Sequence, residues 1–529
     1  MSKTLSDGHA PSSFYHSAWP VSLMLLCAAI LYTGSLSPST GHSIDDGIHL
    51  VAAKSMATGQ GLRMISDPDA PLATQFPPGH SLFLVPVLWL FPDPPTNAIP
   101  LQLVSTVFAL CFVYLSWLWL RRHFEPSAAL LMTALIAFNP ETVRFAGAVI
   151  AEMGYAAFTM ATFLFFDRAL PNGQSNVHRN TLLGAVVMMT GAYLFRSVGI
   201  GLVMAVVATL ALRRRWYAAA WAIAGFLILA SPWLFKSVLV GTPEYRGQFW
   251  LADLENPEMG RIGPEGLIAR MVSNAVSYLS ETIPNHLFPL LGSQRVVEGF
   301  QGAEMYPVLV VGRLCLSGLL VVGFWRRIRS GLRMPELYMF AYFAMLLLWH
   351  NRIQWKYMAP VTPLLLYYLY TGISYTFSRI SLRLPRIGLS YAFLSLMLVA
   401  CLLRAPDSLA KGWWTNGTND PYALAYGWIK NETPPNSLVV GFDHLGLFLY
   451  TGRKTIAPLM SHDPQQVMNY LSTTGAQYFV IEPRRVSNER RGLEELYQRP
   501  VLEKFPERFS QVFFDPASHI EIYRIDLMP

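Results

Sequence analysis

A mainly α-helical membrane protein of about eleven spans, with a small α/β domain outside the bilayer at its C-terminal end, is the fold this sequence predicts. Three observations carry that expectation. Only 14% of the 529 residues are charged while 53% are hydrophobic, whereas a soluble globular chain carries about a quarter charged residues. The shortage is concentrated in long uncharged runs of the length that crosses a bilayer, and mean hydropathy is correspondingly positive, +0.33. After about residue 404 the composition turns back towards that of a soluble domain.

Taken in order, residues 1–18 are polar and start the chain on the cytoplasmic side. The run 19–36 crosses outward; no small-residue cleavage site follows it, so it reads as an uncleaved first helix rather than a signal peptide. Further spans are expected at roughly 98–120, 127–147, 153–170, 181–195, 198–212, 216–235, 306–325, 335–349, 357–377 and 387–403. Arginines cluster just beyond these runs: Arg121 and Arg122; Arg213, Arg214 and Arg215; Arg326, Arg327 and Arg329; Arg379, Arg383 and Arg386. Counting crossings places every cluster on the cytoplasmic side, as positive-inside orientation requires. One missed helix would put the later clusters outside.

The net charge of +7 is therefore a membrane-orientation signal. Basic patches interleaved with exposed aromatics are missing, which argues against a nucleic-acid partner. The four cysteines, Cys27, Cys111, Cys315 and Cys401, each fall in an apolar run. They read as packed thiols with neither a disulfide framework nor metal-ligand spacing.

This reading divides the chain into a membrane domain, 1–403, and an extracytoplasmic α/β domain, 404–529. Two outer loops of the membrane domain are too long to be connectors. The first, about 37–97, holds an acidic pair and a Pro-Pro-Gly turn; the second, about 236–305, is broken by Pro243, Pro257, Pro264, Pro284 and Pro289. In the tail, Asp420-Pro421 and Asp463-Pro464 are helix starts, Asp capping the free amides and Pro fitting the first turn. Strands are expected at 437–442, 477–482, 509–514 and 519–525. Asn416-Gly417-Thr418 and Asn431-Glu432-Thr433 match the N-glycosylation pattern.

The richest stretch follows the first span: Ser43, Ile44, Asp45, Asp46, Gly47, Ile48 and His49. Ser43 with Asp46 three residues on has the spacing of a capping box, and Gly59 or Gly61 can end the helix that follows. Asp45 would lie in its first turn and share a face with His49, four residues on. The bland reading of both carboxylates is that acids favour a helix N-terminus through its dipole. It suits Asp46, a capping residue, better than Asp45. Further on stand Gln75, Phe76, Pro77, Pro78, Gly79 and His80, then the apolar, aromatic run 82–91.

At this point the sequence resembles the GT-C superfamily, the bacterial relatives of protein O-mannosyltransferases and of the lipid A aminoarabinose transferase. Those proteins place an acidic pair just after the first helix, then a surface helix ending near Gly, then a proline turn before the second span. Asp45-Asp46, Gly59-Gln60-Gly61 and Pro77-Pro78-Gly79 stand here in that order. An acidic residue, Glu152, opens the fourth span, and Arg196 lies at the outer turn between the fifth and sixth. Ser231-Pro232-Trp233 ends the seventh, and Lys356-Tyr357-Met358-Ala359-Pro360 opens the tenth. The pair is Asp-Asp where several relatives have Asp-Glu. Phe76-Pro77 stands where aminoarabinose transferases carry an acidic-basic pair, so phosphate or metal contacts must come from elsewhere.

The resemblance implies a glycosyltransferase (hexosyl or pentosyl) that moves a sugar from a polyprenyl-phosphate donor to an acceptor hydroxyl on a glycan, lipid or protein, with inversion. It also implies a multi-pass protein of the bacterial inner membrane acting at the outer face. The chemistry fits the residues independently. A lipid-linked phosphate leaves as an anion and needs little acid help, so one carboxylate that deprotonates the acceptor suffices, unlike the two-carboxylate machinery of glycoside hydrolysis. Asp45 is the expected base. Asp46 and Glu152 are supporting acids or ligands of a divalent metal cation. Arg352, Lys356 and Arg196 are expected on the donor phosphate, Arg352 and Lys356 being four residues apart at the outer start of the tenth span; the bland alternative is that all three anchor their helices at the membrane surface. His49, His80 and His350 are substrate or metal contacts, or plain polar anchors. The rival from another class is a transporter or flippase, although such proteins place charges near the bilayer midplane and here the clearest charges sit at helix ends.

Overall fold

In a medium without water the backbone must satisfy its own N–H and C=O groups, so the apolar runs fold as helices. The computed structural model describes residues 19–171, 177–240, 247–252, 259–292, 306–350, 355–379, 386–409, 422–483 and 492–526. The chain opens with α1 (Trp19–Gly34), and the segment 37–97 contributes α2 (Ile44–Ala57) and α3 (Gly79–Leu90). Then come α4 (Ala98–Leu120), α5 (Pro126–Ala137), α6 (Pro140–Ala146), α7 (Glu152–Ala169), α8 (Arg179–Phe195), α9 (Ile200–Leu212) and α10 (Trp216–Val240). The segment 236–305 holds α11 (Pro264–Ser277) and α12 (Ile283–Leu287). The membrane part finishes with α13 (Tyr306–Arg329), α14 (Met334–Leu348), α15 (Thr362–Arg379) and α16 (Arg386–Leu409).

Every expected span contains a helix. Among the described residues, however, only Ala98–Leu120, Trp216–Val238, Pro307–Arg329 and Gly388–Asp407 are long and apolar enough to cross a membrane on their own, 4 helices where the sequence suggested about eleven. Local chemistry moves two of the expected boundaries. The run 127–147 is two helices because Asn139 caps the second, its side chain taking the Glu141 amide at 2.9 Å, with Pro140 in the first turn. The helix expected from 357 begins instead at Thr362, after two 3₁₀ turns, Trp355–Tyr357 and Ala359–Val361. Conversely, Pro232 does not end α10. Proline has no N–H to give the Ile228 carbonyl, and the Ser231 hydroxyl donates to it at 2.7 Å instead.

The helices bury one face and leave an apolar one outside. On α1, Met24, Ala28 and Tyr32 are buried while Leu23, Leu26 and Ile30 are exposed; Trp221 and Ile228 on α10 and Val399 and Leu403 on α16 are likewise exposed. Such a belt is what lipid contact demands of a multi-pass protein. The cysteines differ from expectation in one respect. All four are free, but Cys27, Cys111 and Cys315 are exposed on helix surfaces and only Cys401 is packed. A thiol is apolar enough for either place.

The tail folds around a five-stranded sheet. Its elements are α17 (Ala423–Glu432), β1 (Leu438–Val440), α18 (His444–Thr451), β2 (Lys454–Ile456), α19 (Pro464–Thr474), β3 (Tyr478–Ile481), α20 (Arg499–Lys504), β4 (Phe509–Asp515) and β5 (Ile520–Ile525). The strand order is β2-β1-β3-β5-β4, parallel on the β1 side and antiparallel where β5 meets β3 and β4. The four expected strands are present; β2, three residues long, carried too little alternation to be read. Asp463 caps α19 as expected, accepting from the Gln465 amide at 2.9 Å. Asp420-Pro421 and the Asn416 sequon lie outside the described residues. Asn431 ends α17, with the Thr433 of its sequon buried and bonded to the Ile429 carbonyl at 2.6 Å.

This domain sits on α2 and the loop that follows it. Leu445 and Phe448 of α18 share a core with Ile48 and Val51 of α2 and with Ile65. The Thr455 amide donates to the Ser66 carbonyl at 2.8 Å, and the Lys454 ammonium to the carbonyls of Ile65 and Asp67 at 2.9 and 3.2 Å. From the membrane side, Lys236 at the end of α10 donates to the carbonyls of Leu62 and Ala73 at 3.0 and 2.7 Å. The loop after α2 is thus held between both parts of the chain.

Candidate active site

Asp45 and Asp46 are neighbours with different surroundings. The capping box is present: Asp46 takes the Ser43 amide and hydroxyl at 2.8 and 2.7 Å and the Gly41 amide at 2.9 Å. Its carboxylate is turned back onto the chain before α2, which is the bland reading of that residue. Asp45 points away, and its Oδ2 meets the Lys356 ammonium at 2.5 Å. That pair joins the first turn of α2 to the 3₁₀ turn before α15, across 311 positions of sequence.

Lys356 is one of two cations on a single ring. Its Nζ lies 5.7 Å from the centre of Tyr357, and the Arg196 guanidinium lies 5.9 Å from the same centre. Contacts of this length are within cation–π range. Arg196, in extended conformation where α8 ends, donates to Glu152 in the first turn of α7. Glu152 is 1% exposed, and its Oε2 has no hydrogen-bond partner among the described residues. The Tyr342 hydroxyl bonds to the Tyr357 carbonyl at 2.7 Å and holds the platform in place.

Two of the three histidines join this group. His49 is buried on α2, stacked on Phe76 at 5.1 Å, with Nδ1 3.3 Å from the Ser81 hydroxyl. Burial, with the charges of Arg196 and Lys356 nearby, pushes its imidazole down to about 3. His80 meets it edge-on at 5.0 Å and is fully buried. Burial and the neighbouring His49 hold His80 well below the ordinary range, and neither of its ring nitrogens has a partner among the described residues. The Pro-Pro-Gly turn sets this geometry. A Cβ on Gly79 would come within 2.6 Å of the Leu194 carbonyl, so glycine lets α3 approach the end of α8, next to Arg196. The helix before it ends as expected, with Gly59 and Gly61 at positive φ.

The structure therefore gathers Asp45, Lys356, Arg196, Glu152, His49 and His80. His350 has its Nε2 against the Gln248 carbonyl. Arg352 lies outside the described residues. Residues 355–357 form a 3₁₀ turn, so the expected α-helical turn does not carry Lys356. Among the described residues no three His, Cys, Asp or Glu side chains group to hold a metal; the carboxylates of Asp45 and Glu152 face Lys356 and Arg196 instead. Sequence reasoning missed the part of Tyr357 as a shared platform. The Lys-Tyr dipeptide was visible, but its meeting with Arg196 is a tertiary contact.

Fold and site together define a multi-pass membrane protein with a carboxylate–cation centre between α2 and the ends of its long helices. The fold is shared with solved structures that match nearly the whole chain. ArnT from Cupriavidus metallidurans bound to undecaprenyl phosphate superposes with a TM-score of 0.58 at 16% identity, over 97% of this chain and 98% of that one. The oligosaccharyltransferase AglB from Archaeoglobus fulgidus, in complex with an inhibitory peptide and a dolichol-phosphate, gives 0.56 at 12% identity, over 97% and 75%. A structure of the Archaeoglobus fulgidus oligosaccharyltransferase with Zn and sulfate gives 0.57 at 12%, over 94% and 72%. No family model and no curated protein matches the chain by sequence.

Proposed function

We propose that the protein is an inverting glycosyltransferase that moves a sugar from a polyprenyl-phosphate donor to an acceptor hydroxyl at the membrane surface. The observation that carries this is the meeting of one partly exposed carboxylate, Asp45, with two cations, Lys356 and Arg196, on one tyrosine. The GT-C neighbours solved with undecaprenyl phosphate and with dolichol-phosphate support the donor class.

In this reading the donor phosphate is held by Lys356 and Arg196 through charge-assisted hydrogen bonds. As the phosphate draws on Lys356, the Asp45 carboxylate is freed to accept the acceptor's proton. The acceptor oxygen attacks the anomeric carbon from the side opposite the phosphate. The carbon–oxygen bond to phosphate breaks with its electron pair going to the phosphate oxygen, where the two cations stabilise the growing charge. Glu152 Oε2 and His80, buried polar atoms that are costly to leave unpaired, are available to sugar hydroxyls. No step is routed through a metal.

The test is transfer from a panel of polyprenyl-phosphate sugars by the full chain in nanodiscs. Wild type should turn over at least one donor, and Asp45→Asn should transfer about 10²–10⁴-fold more slowly, the size of a lost general base, while binding undecaprenyl phosphate normally. Near-normal turnover by Asp45→Asn would remove Asp45 from the chemistry. Vectorial movement of a lipid-linked sugar without transfer would establish the transporter reading instead.

A further inference from the structure

Residues 37–43, which lead from α1 into α2, are held from two sides. At one end the Gln102 side chain of α4 brackets Ser37, accepting from its amide and donating to its carbonyl, both at 2.7 Å. From Thr40 on, successive residues face the C-terminal domain and α2 in turn. The Thr40 amide donates to the Tyr450 hydroxyl at 3.1 Å. The Gly41 and Ser43 amides donate to Asp46, and the His42 ring between them reaches Asp443.

That last contact is built on the domain side. His42 Nδ1 lies 2.8 Å from Asp443 Oδ2; a carboxylate oxygen accepts, so the ring nitrogen donates. The Tyr426 hydroxyl donates to the same oxygen. Asp443 is buried, where a carboxylate without hydrogen bonds is costly. Its amide is fixed in turn by Glu482 Oε1 at 2.5 Å, just past β3. The His42 ring also stacks against Tyr422 and Tyr450, with ring centres 4.6 and 5.2 Å away.

Two glycines permit so close an approach. Gly41 has φ +93°, and a Cβ there would come within 2.8 Å of Leu449 Cδ1. A Cβ on Gly47, in the first turn of α2, would come within 2.6 Å of Leu445 Cβ. Helix α18 therefore lies against the start of α2, with Asp443 at its N-terminal end facing His42. Asp45 stands between His42 and Gly47 in the chain, and its carboxylate turns to Lys356. The Asp46 bonds stay within this stretch and fix its shape rather than its place. Its place is fixed by Tyr450 and Asp443, both on the C-terminal domain.

We propose that His42, held by Asp443, is a positioning residue for Asp45; the role presupposes that Asp45 is the base proposed above. Apolar packing through Leu445 and Phe448 brings the two parts together, but it is non-directional. A hydrogen bond has a preferred length and angle, and this one sets where the first turn of α2 stands. The C-terminal domain thereby determines how Asp45 meets Lys356 and the acceptor hydroxyl.

Two substitutions separate the bond from the ring. His42→Phe keeps an aromatic ring beside Tyr422 and Tyr450 and removes the donor. His42→Asn removes the ring and keeps an N–H near the place of Nδ1. Asp443 retains the Tyr426 hydroxyl in both, so the domain should melt as in wild type. Transfer is measured with the full chain in nanodiscs, donor and acceptor both varied, beside Asp45→Asn. His42→Phe should lower kcat about 10- to 100-fold, as expected for a reacting group displaced by up to about 1 Å, and leave the donor KM nearly unchanged. His42→Asn should recover most of that rate. Amide exchange over 40–47 should quicken in His42→Phe and not in His42→Asn. Wild-type turnover by His42→Phe, an equal loss in both variants, or unaltered exchange in His42→Phe overturns the positioning role, and a slow Asp45→Asn beside it leaves the base in place. Near-normal transfer by Asp45→Asn removes the base, and this role with it.

Discussion

Asp45 and Asp46 are adjacent and chemically identical, yet Asp46 faces backbone amides and Asp45 an ammonium group. Asp46→Asn should therefore act on the start of α2, costing about 0.5–2 kcal/mol of local stability, with transfer falling only as far as that loosening displaces Asp45. A loss as large as that of Asp45→Asn would show Asp46 to be more than a cap; thermal melts beside transfer rates decide between them. The two cations also call for different handling. Glu152 is 1% exposed, so Arg196→Ala strands a buried charge at about 3–5 kcal/mol and confounds folding with function. Lys356 and Asp45 are 18% and 28% exposed, and water can cover the survivor. Lys356→Ala is accordingly the cleaner probe of the phosphate contact. It should weaken donor use by roughly 10- to 150-fold and leave the acceptor KM nearly unchanged, with both substrates varied in the assay. An unaltered donor dependence returns Lys356 to helix anchoring.

At the scale of the element, α2 depends on burying His49 neutral. Its imidazole titrates at about 3 in place and near 6.5 when free. The folded value is the lower one, so the undocked state binds the proton more readily. The stabilisation this burial lends is fully present above about pH 6.5 and is lost as pH falls towards 3. Amide exchange along 44–57, corrected for intrinsic rates, should quicken as pH drops from 7 to 4.5, and His49→Asn should flatten that dependence. The same slope in the variant would place the sensitive group elsewhere. Gly79 carries a second constraint on this region. With the Leu194 carbonyl 2.6 Å from where a Cβ would sit, Gly79→Ala must push α3 from the end of α8. It should lower transfer without unfolding the spans, as rates and melting curves measured together would show.

The whole molecule is organised by sidedness. The C-terminal domain grips the loop after α2 through Lys454 and the Thr455 amide, so residues such as Asp69 and Ser472 must lie on one side of the bilayer. The arginine clusters at the other helix ends belong on the opposite side if positive-inside orientation governs this chain. In a cysteine-free background, single cysteines at Asp69 and Ser472 should label from one face only, and cysteines at Arg122, Arg214 and Arg327 only from the other. Labelling of Asp69 and Arg214 from the same face would break the assigned topology. The same arrangement explains why a carboxylate near the start of the chain can meet a lysine more than three hundred positions later: α2 is wedged between the membrane helices and the domain above it.

Much of this was legible in sequence because it is local. Apolar runs must satisfy their own backbone and so declare themselves as helices. A Ser with an acid three residues on declares a cap, and alternation declared four of the five strands. The eleven apolar segments were visible for that reason, but how many cross the bilayer is not decided by hydropathy, since breaks such as Asn139-Pro140 shorten helices without changing composition. For the site, the candidates were on the page as residue types at helix ends. What only the tertiary structure decided is which of them meet. Asp45 with Lys356, Arg196 with Glu152, and both cations on Tyr357 are contacts between distant segments. His350 has the same composition signal as His49 and His80, and its Nε2 meets the Gln248 carbonyl. Local chemistry is written in neighbouring residues, whereas a charge pair across three hundred positions depends on how helices stack, and stacking is set by the summed packing of many side chains.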